Sequence, residues 1–261
     1  MSSNKEIRLG IFGAAGRMGQ ALVEQSAFYP ALKLVALIEA KGNSLVGTVR
    51  CGIQITDDVE TNFSDLSVAI DFTSPEASVA HAETAAKVGL PLVIGSTGID
   101  VAGRAKLATL ATKTPIVFSP NMSLSANVLF DVVQRVANLL PTYDAEITEI
   151  HHNLKKDAPS GTALRFAESV RLGRQAGRLV FGREGQVGAR KPDEIGVHAI
   201  RGGDVVGDHT TFFLGTGERL ELVHRVTSRS AFAQGALTAA QWLVNRPPAL
   251  YDMRDVLGLS K

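Results

Sequence analysis

An apolar stretch near the N-terminus runs directly into a glycine-rich turn, and this junction constrains the fold more than any other feature of the chain. Residues 7–12 are typical of a buried strand, residues 13–19 contain three glycines, and Ala21, Leu22 and Gln25 then follow a helical pattern. A strand, a glycine turn and a helix form the arrangement in which a dinucleotide pyrophosphate rests on a helix N-terminus. The sequence therefore predicts a Rossmann-like dinucleotide-binding domain.

A second apolar run supports this prediction. Residues 34–38 are followed directly by Glu39. A carboxylate at this strand end would accept hydrogen bonds from the adenosine ribose hydroxyls, an arrangement that fits NAD(H). Glu39 would repel a 2′-phosphate unless a cation lies close, and Lys41 and Arg17 are the candidates. The alternative is that Glu39 is an exposed acid at a strand end with no role in cofactor binding. The glycine spacing also departs from the strict fingerprint, because Ala15 stands where a middle glycine is expected.

Further apolar runs at residues 68–73, 91–95 and 116–118 alternate with helical segments. Continuous apolar runs are typical of parallel strands buried on both faces, so we predict a doubly wound parallel sheet. Polar turns follow these strands and would line the nicotinamide half of the cofactor crevice, although ordinary turn chemistry explains them equally well. His81, on the helix after Pro75, is interpreted as structural.

The pattern changes after Asn121, which predicts a second domain. A helix over residues 126–139, a strand over 145–152 and a helix from Gly161 are followed by short strands separated by glycine turns. Those strands are predicted at residues 197–201, 204–209, 211–215 and 220–225. We predict an α+β domain with a mixed, mostly antiparallel sheet over residues 122–231. Residues 1–121 form the dinucleotide-binding domain, to which a closing helix within 232–261 returns.

Residues 151–164 bring groups with different chemical roles into one short segment. His151 or His152 can move protons near neutral pH, while Lys155 and Lys156 attract anions. Ser160 is a preferred N-cap, and the backbone N–H groups of residues 160–162 would face an approaching carboxylate. The segment indicates a pocket for a small anionic substrate that must be protonated. Each feature taken singly has a structural alternative: Ser160 could be only a helix cap, the histidines could be surface residues, and the lysines could be solvated.

Composition favours a small-molecule partner. The chain has 261 residues and a net charge of +1, with no basic tract, so neither nucleic acid nor a membrane is an expected partner. The single Cys51 excludes an intramolecular disulfide and a cysteine-based metal site, and no metal ligands are predicted. The N-terminal residues lack the apolar core of a signal peptide, and we expect a cytoplasmic protein.

The segment from Glu149 to His152, followed by Lys155 and by residues 157–163, resembles the signature of the 4-hydroxy-tetrahydrodipicolinate reductase family of bacterial lysine and diaminopimelate synthesis. Residues 13–19, 93–98, 201–210 and 217–221 are similar to further blocks of that family. The resemblance covers essentially the whole chain. It implies an activity: reduction of the dicarboxylate 4-hydroxy-tetrahydrodipicolinate with NADH or NADPH to tetrahydrodipicolinate and water. It also implies a homotetramer formed through the second domain.

The resemblance also implies roles for individual residues. His151 would be the proton donor or acceptor and Lys155 a proton donor, while the substrate would be held by His152, Gly161 and Thr162. Ser160 joins the predicted substrate residues through its place at the helix start. Cofactor contacts would come from Gly13, Ala14, Ala15, Gly16, Arg17, Met18, Glu39, Gly95, Ser96, Thr97, Ser119, Pro120, Asn121 and Met122. The position of Lys41 close to Glu39 adds this lysine as a further candidate for the cofactor site.

One departure from the family concerns the cofactor. Many members follow the strand-end acid with an arginine suited to the 2′-phosphate of NADPH, whereas Ala40 and then Lys41 stand here. A lysine is a point charge rather than a planar fork, so we predict use of both cofactors or a preference for NADH.

Two alternative functions remain at this point. One is another two-domain nicotinamide dehydrogenase of a small carboxylate, and the other is a non-catalytic NAD(H)-binding sensor. The position of Cys51, outside any expected active-site turn, argues against a thiol-dependent semialdehyde dehydrogenase. Oxidation of NADH with the product of dihydrodipicolinate synthase would separate the three.

Overall fold

A computed structural model describes residues 6–59, 63 and 65–259. The chain divides into two compact units: unit 1 comprises Met1–Leu124 and Arg229–Lys261, and unit 2 comprises Ser125–Ser228. The predicted domain limits at residues 121 and 232 lie within a few residues of these boundaries. Within the described residues, no helix combines the length and the apolar character needed to cross a membrane.

The strands are β1 (Ile7–Phe12), β2 (Leu32–Ile38), β3 (Val49–Arg50), β4 (Ile53–Thr56), β5 (Val68–Asp71), β6 (Leu92–Ile94), β7 (Ile116–Phe118), β8 (Asp144–His151), β9 (Arg178–Phe181), β10 (Glu194–Arg201), β11 (Gly207–Leu214), β12 (Arg219–Val226) and β13 (Leu250–Tyr251). The helices are α1 (Arg17–Ser26), α2 (Pro75–Val88), α3 (Val101–Leu110), α4 (Leu124–Leu139), α5 (Gly161–Arg174), α6 (Ser230–Leu243) and α7 (Met253–Val256).

Unit 1 contains a sheet with the strand order β13-β7-β6-β5-β1-β2-β4-β3. All neighbouring strands pair in parallel except β3 and β4, which pair antiparallel. The predicted doubly wound parallel sheet is confirmed. Strands β3, β4 and β13 and helix α3 were not predicted from the sequence. Strands β3 and β13 contain only two residues each, too few to produce a recognisable pattern.

Both faces of this sheet are covered, as the continuous apolar strands predicted. On one face, Leu9 and Ile11 of β1 join a buried cluster with residues of α1 and α6. On the other face, Phe12 joins a cluster with residues of α2 and α3. Successive side chains of a strand point to opposite faces, so one short strand contributes to both cores. The C-terminal helix α6 is part of unit 1 and packs on α1.

Unit 2 contains a sheet with the order β12-β11-β8-β10-β9. The predicted mixed sheet is confirmed: β8 and β9 pair in parallel with β10, whereas β11 pairs antiparallel with both β8 and β12. The sheet is not mostly antiparallel as predicted, since parallel and antiparallel pairs are equal in number. Strand β9, which was not predicted, adds the second parallel pair. The separate strands predicted at residues 204–209 and 211–215 are wrong, since a single strand β11 runs through Thr210, which pairs with Thr148 and Val223.

Helices α4 and α5 pack on one face of the unit 2 sheet. Buried and half-buried residues alternate along β8 and β11, and the buried ones, such as Ile147 and Phe213, contact apolar residues of the two helices. The opposite face, called here the open face, includes Ile150, Ile200 and Val223. Ile200 and Val223 are 48% and 45% exposed.

Candidate active site

The glycine turn after β1 is shaped by two close approaches of the backbone. Gly13 has φ +74°, a conformation that favours glycine, and its N–H donates to the carbonyl of Ile38 at 2.9 Å. A Cβ on Gly19 would lie 2.1 Å from the carbonyl oxygen of Gly13, so only glycine lets α1 pack this closely. Gly16 caps α1 without a side-chain hydrogen bond, and no acidic residue stands in the first turn of this helix. The helix end therefore keeps its positive potential.

Glu39, directly after β2, bends back toward the glycine turn. Its carboxylate accepts hydrogen bonds from the N–H groups of Ala15 and Ala40, each at 2.9 Å. A cavity of about 770 Å³ opens beside it and is lined by Gly13, Ala15, Gly16, Glu39 and Lys41 among the predicted cofactor residues. A glycine turn, an uncapped helix and a strand-end acid around one cavity fit the adenosine side of a dinucleotide.

The other predicted cofactor residues lie outside this cavity lining. Gly95, Ser96 and Thr97 follow β6, and residues 119–121 follow β7, so both groups stand at the same carboxyl edge of the sheet. Arg17 is exposed and Met18 packs partly against the core. The side chains of Ala14 and Met122 are buried in the core, so they do not offer the side-chain contacts that a cofactor could use.

In unit 2, Glu149 is the centre of a buried polar cluster. This residue is 0% exposed, and its two oxygens accept four hydrogen bonds. Arg201 donates to both oxygens at 2.8 Å, Nδ1 of His151 lies 2.5 Å from Oε2, and the N–H of Ser160 donates to Oε1 at 2.9 Å. We call these four residues the Glu149 cluster. Because every lone pair has a donor, the carboxylate is held in one orientation.

The strand pattern explains why these side chains meet. Glu149 and His151 are two residues apart on β8 and therefore point to the same face of the sheet. Arg201 pairs with His151 across β8 and β10, which brings its guanidinium beside the Glu149 carboxylate. Ser160 caps α5, which packs on this face.

The Glu149 cluster sets the ionisation of its members. Burial disfavours the charged carboxylate, but hydrogen bonds from Arg201, His151 and Ser160 outweigh it and lower the pKa of Glu149. Burial lowers the pKa of His151 below its usual value, and the charges of Lys155 and Arg201 act in the same direction, against the opposing effect of Glu149. Arg201 is thus the counterion of Glu149, and His151 is a neutral imidazole near neutral pH.

The hydrogen bond to Glu149 also selects the tautomer of His151. A neutral imidazole that donates from Nδ1 to a carboxylate leaves Nε2 as a proton acceptor. The ring meets His209 edge to face, with centroids 5.2 Å apart. Burial lowers the pKa of His209 to about 3, so this neighbouring ring stays neutral and does not compete for protons.

The structure corrects the prediction that the backbone N–H of Ser160 is available to a substrate. Ser160 caps α5 as predicted, and its hydroxyl accepts a hydrogen bond from the N–H of Ala163 at 3.1 Å. Its own N–H is not free for a substrate, because that group donates to Glu149. Gly161 is exposed, and a Cβ there would meet nothing within 4 Å, so space remains at the start of α5.

His152 and Lys155 lie immediately beyond the end of β8. Strand β8 stops at His151, so the side chain of His152 does not follow the alternation of a regular strand. The buried Nδ1 of His152 has no hydrogen-bond partner among the described residues. Nζ of Lys155 donates to Asp157 at 2.8 Å. Across the described parts of the chain, no group of three or more His, Cys, Asp or Glu side chains is placed to hold a metal ion.

Glu149 and Arg201 belong to sequence blocks that resemble the family, but no role was predicted for either residue. The spacing of an acid and a histidine two residues apart on a predicted strand was the available signal for Glu149. No local pattern could have found Arg201, since its contact depends on the register of β8 against β10.

Comparison with known proteins agrees with these features. Family models described as dihydrodipicolinate reductase, N-terminus and C-terminus, match residues 7–122 and 125–257. The chain belongs to the dihydrodipicolinate reductase family. A relative from Thiobacillus denitrificans named 4-hydroxy-tetrahydrodipicolinate reductase is 47% identical over 97% of this chain and 99% of its own length. A relative of the same name from Anaeromyxobacter dehalogenans is 48% identical over 95% and 97%.

A solved structure supports the fold of this family member. Dipicolinate-bound dihydrodipicolinate reductase from Paenisporosarcina sp. TG-14 superposes with a TM-score of 0.79 at 24% identity, covering 94% of this chain and 97% of that one. The family is one of nicotinamide-dependent reductases.

We predict that the imidazole of His151 titrates below its ordinary pKa and that Glu149→Gln lowers this pKa further. The substitution removes the negative charge that favours the imidazolium form, while burial stays the same. Histidine ring resonances followed by NMR across pH give the measurement. The His224 imidazole, whose pKa is lowered by burial, is the internal control and should not move. An unchanged or raised pKa of His151 in Glu149→Gln would contradict the assignment.

Proposed function

We propose that this chain reduces 4-hydroxy-tetrahydrodipicolinate with NADH or NADPH to give tetrahydrodipicolinate and water. Membership of the reductase family supports this activity. The observation that carries the proposal is the Glu149 cluster, which orients a neutral imidazole close to the open start of α5. That arrangement suits a small anion that must gain a proton.

The residues of unit 1 fit a nicotinamide dinucleotide. The uncapped N-terminus of α1 attracts the pyrophosphate, and Glu39 accepts hydrogen bonds from the adenosine ribose. We propose that the turns after β6 and β7, including Gly95, Thr97 and Asn121, hold the nicotinamide half. When bound, the dihydronicotinamide supplies the hydride.

The substrate is a dicarboxylate, and unit 2 offers groups for both of its charges. We propose that one carboxylate accepts hydrogen bonds from backbone N–H groups at Gly161 and Thr162, where the helix potential is positive. The unpartnered Nδ1 of His152 and the ammonium group of Lys155 are the proposed partners of the second carboxylate. Ser160 contributes by capping α5 and by binding Glu149 rather than by touching the substrate.

The reaction adds one hydride and one proton to the substrate and releases one water molecule. A proton must reach the site where hydride addition builds electron density. We propose that the Lys155 ammonium donates this proton, with Asp157 holding its Nζ in place. His151, with Nε2 as an acceptor and Nδ1 on Glu149, exchanges protons with the same site.

The double variant His151→Gln with Lys155→Ala should lower kcat by about 10²- to 10⁴-fold, the usual contribution of general acid–base groups. The affinity for NADH should stay nearly unchanged, because both residues belong to unit 2. Steady-state oxidation of NADH with 4-hydroxy-tetrahydrodipicolinate, together with NADH binding, gives both quantities. Lys191→Ala, at an exposed lysine of unit 2 outside the segment of residues 151–164, is the matched control.

Three results would count against the proposal. Wild-type protein that binds NADH without turnover would indicate a sensor, and turnover with a different small carboxylate alone would indicate another dehydrogenase. A double variant that loses NADH binding would contradict the assignment of these residues to the substrate.

We further propose that the enzyme uses both cofactors or prefers NADH. Glu39 repels a 2′-phosphate, and the cation that lines the same cavity is Lys41, which provides a single point charge. The ratio of kcat/KM for NADH and NADPH should be near one or favour NADH, and Lys41→Ala should reduce kcat/KM for NADPH more than for NADH. A clear NADPH preference in the wild type would contradict this prediction.

Finally, we propose a cytoplasmic homotetramer that assembles through the open face of the unit 2 sheet. Ile200 and Val223 leave about half of their surface exposed there, and apolar patches of this kind are typical of interfaces. Analytical ultracentrifugation should give the mass of four chains for the wild type and a smaller mass for Ile200→Asp. Leu139→Asp, at an exposed end of α4, should leave the mass unchanged. A monomeric wild type would exclude this assembly.

A further inference from the structure

A second buried carboxylate stands at the end of β5, in unit 1. Asp71 is 0% exposed, and one of its oxygens accepts hydrogen bonds from the N–H of Thr73 at 2.9 Å, the hydroxyl of Thr73 at 2.6 Å and the hydroxyl of Ser78 at 2.8 Å. Its other oxygen lies 2.7 Å from Nδ1 of His81. The carboxylate therefore joins the strand end to two side chains of α2.

His81 connects this buried carboxylate to the cavity beside Glu39. The His81 side chain is 18% exposed and forms part of the cavity lining. Its ring packs against Phe12, with centroids 4.5 Å apart. Since Nδ1 is bound to Asp71, Nε2 is on the far side of the imidazole, and within the described residues no protein group bonds to it.

Hydrogen bonding gives the Asp71–His81 pair more than a packing role. A buried carboxylate is costly unless its oxygens are hydrogen-bonded. The oxygen of Asp71 that Thr73 and Ser78 leave free is the one that lies against Nδ1 of His81. The pair therefore keeps a proton on Nδ1 and fixes both the ring orientation and the tautomer of His81.

The same carboxylate also reaches the turn that follows β6. The hydroxyls of Ser78 and Ser96 lie 2.6 Å apart, and the hydroxyl of Ser96 lies 3.4 Å from Asp71. Ser96 belongs to the turn that the sequence analysis assigned to the nicotinamide half of the cofactor. One buried acid thus contacts a residue of the cavity wall and a residue of this turn.

We propose that Asp71 is a positioning residue of the cofactor site, which holds His81 so that its Nε2 bonds to the adenosine half of the dinucleotide. This inference rests on the proposed function, because it takes the cavity beside Glu39 as the cofactor site. It revises the interpretation of His81 as purely structural. The bond to Asp71 is structural, and the opposite edge of the same ring is a binding group.

The variant His81→Asn separates the two edges of the ring. The amide nitrogen of asparagine reaches about the position of Nδ1 and still donates to Asp71, but the side chain has nothing at the position of Nε2. We expect His81→Asn to melt like the wild type and to bind NADH and ADP-ribose about tenfold more weakly, the loss of one hydrogen bond. Binding of nicotinamide mononucleotide, which lacks the adenosine half, should not change.

Asp71→Asn tests the positioning role. We expect it to weaken ADP-ribose binding at least as much as His81→Asn does, and the double variant should lose less than the sum of the two losses, because Asp71 acts through His81. Lys87→Ala, exposed in the last turn of α2, is the matched control. Isothermal titration calorimetry provides the affinities without turnover.

The outcomes are distinguishable. Wild-type affinity for ADP-ribose in His81→Asn would overturn the inference, whether or not Asp71→Asn folds. Wild-type affinity in a folded Asp71→Asn, or simple additivity in the double variant, would overturn the positioning role. A wild-type protein that binds neither NADH nor ADP-ribose would refute the proposed function itself.

Discussion

The buried carboxylate of Glu149 is the interaction on which the candidate active site depends. It joins three elements that are distant in sequence, because Arg201 comes from β10, His151 from β8 and Ser160 from the start of α5. Removing one partner would leave an uncompensated charge or donor in the interior, which is costly. Holding this carboxylate in place therefore fixes both the tautomer of His151 and the position of the helix end that is proposed to bind substrate.

Both units contain the same arrangement of a buried carboxylate and a histidine. In each, an acid at or near a strand end is fully buried, is hydrogen-bonded on both oxygens and binds Nδ1 of a histidine. The difference lies in the other partners: Glu149 also binds the guanidinium of Arg201, whereas Asp71 also accepts hydrogen bonds from Thr73 and Ser78. His151 is proposed to exchange protons with the substrate, and His81 is proposed to bind the cofactor.

Local signals predicted much of the fold and of the site. The run from β1 through the glycine turn to α1 was predicted because strand, turn and helix each have their own pattern, and Ser160 was identified as a cap because serine is a preferred residue at that position. Predictions failed where the outcome depended on distant residues. The N–H of Ser160 is bound by Glu149, and strand β11 continues through Thr210 because it pairs on both sides. Strand β9 was missed because it is short and only its partner β10 defines it.

Turnover of Glu149→Gln tests the central claim most directly. The substitution preserves the shape of the side chain but removes the charge that binds Arg201 and orients His151. Steady-state kinetics with substrate and cofactor each varied should show a kcat reduced by about 10²-fold or more, with the KM for the nicotinamide cofactor unchanged. A folded Glu149→Gln protein with the kcat of the wild type would contradict the account.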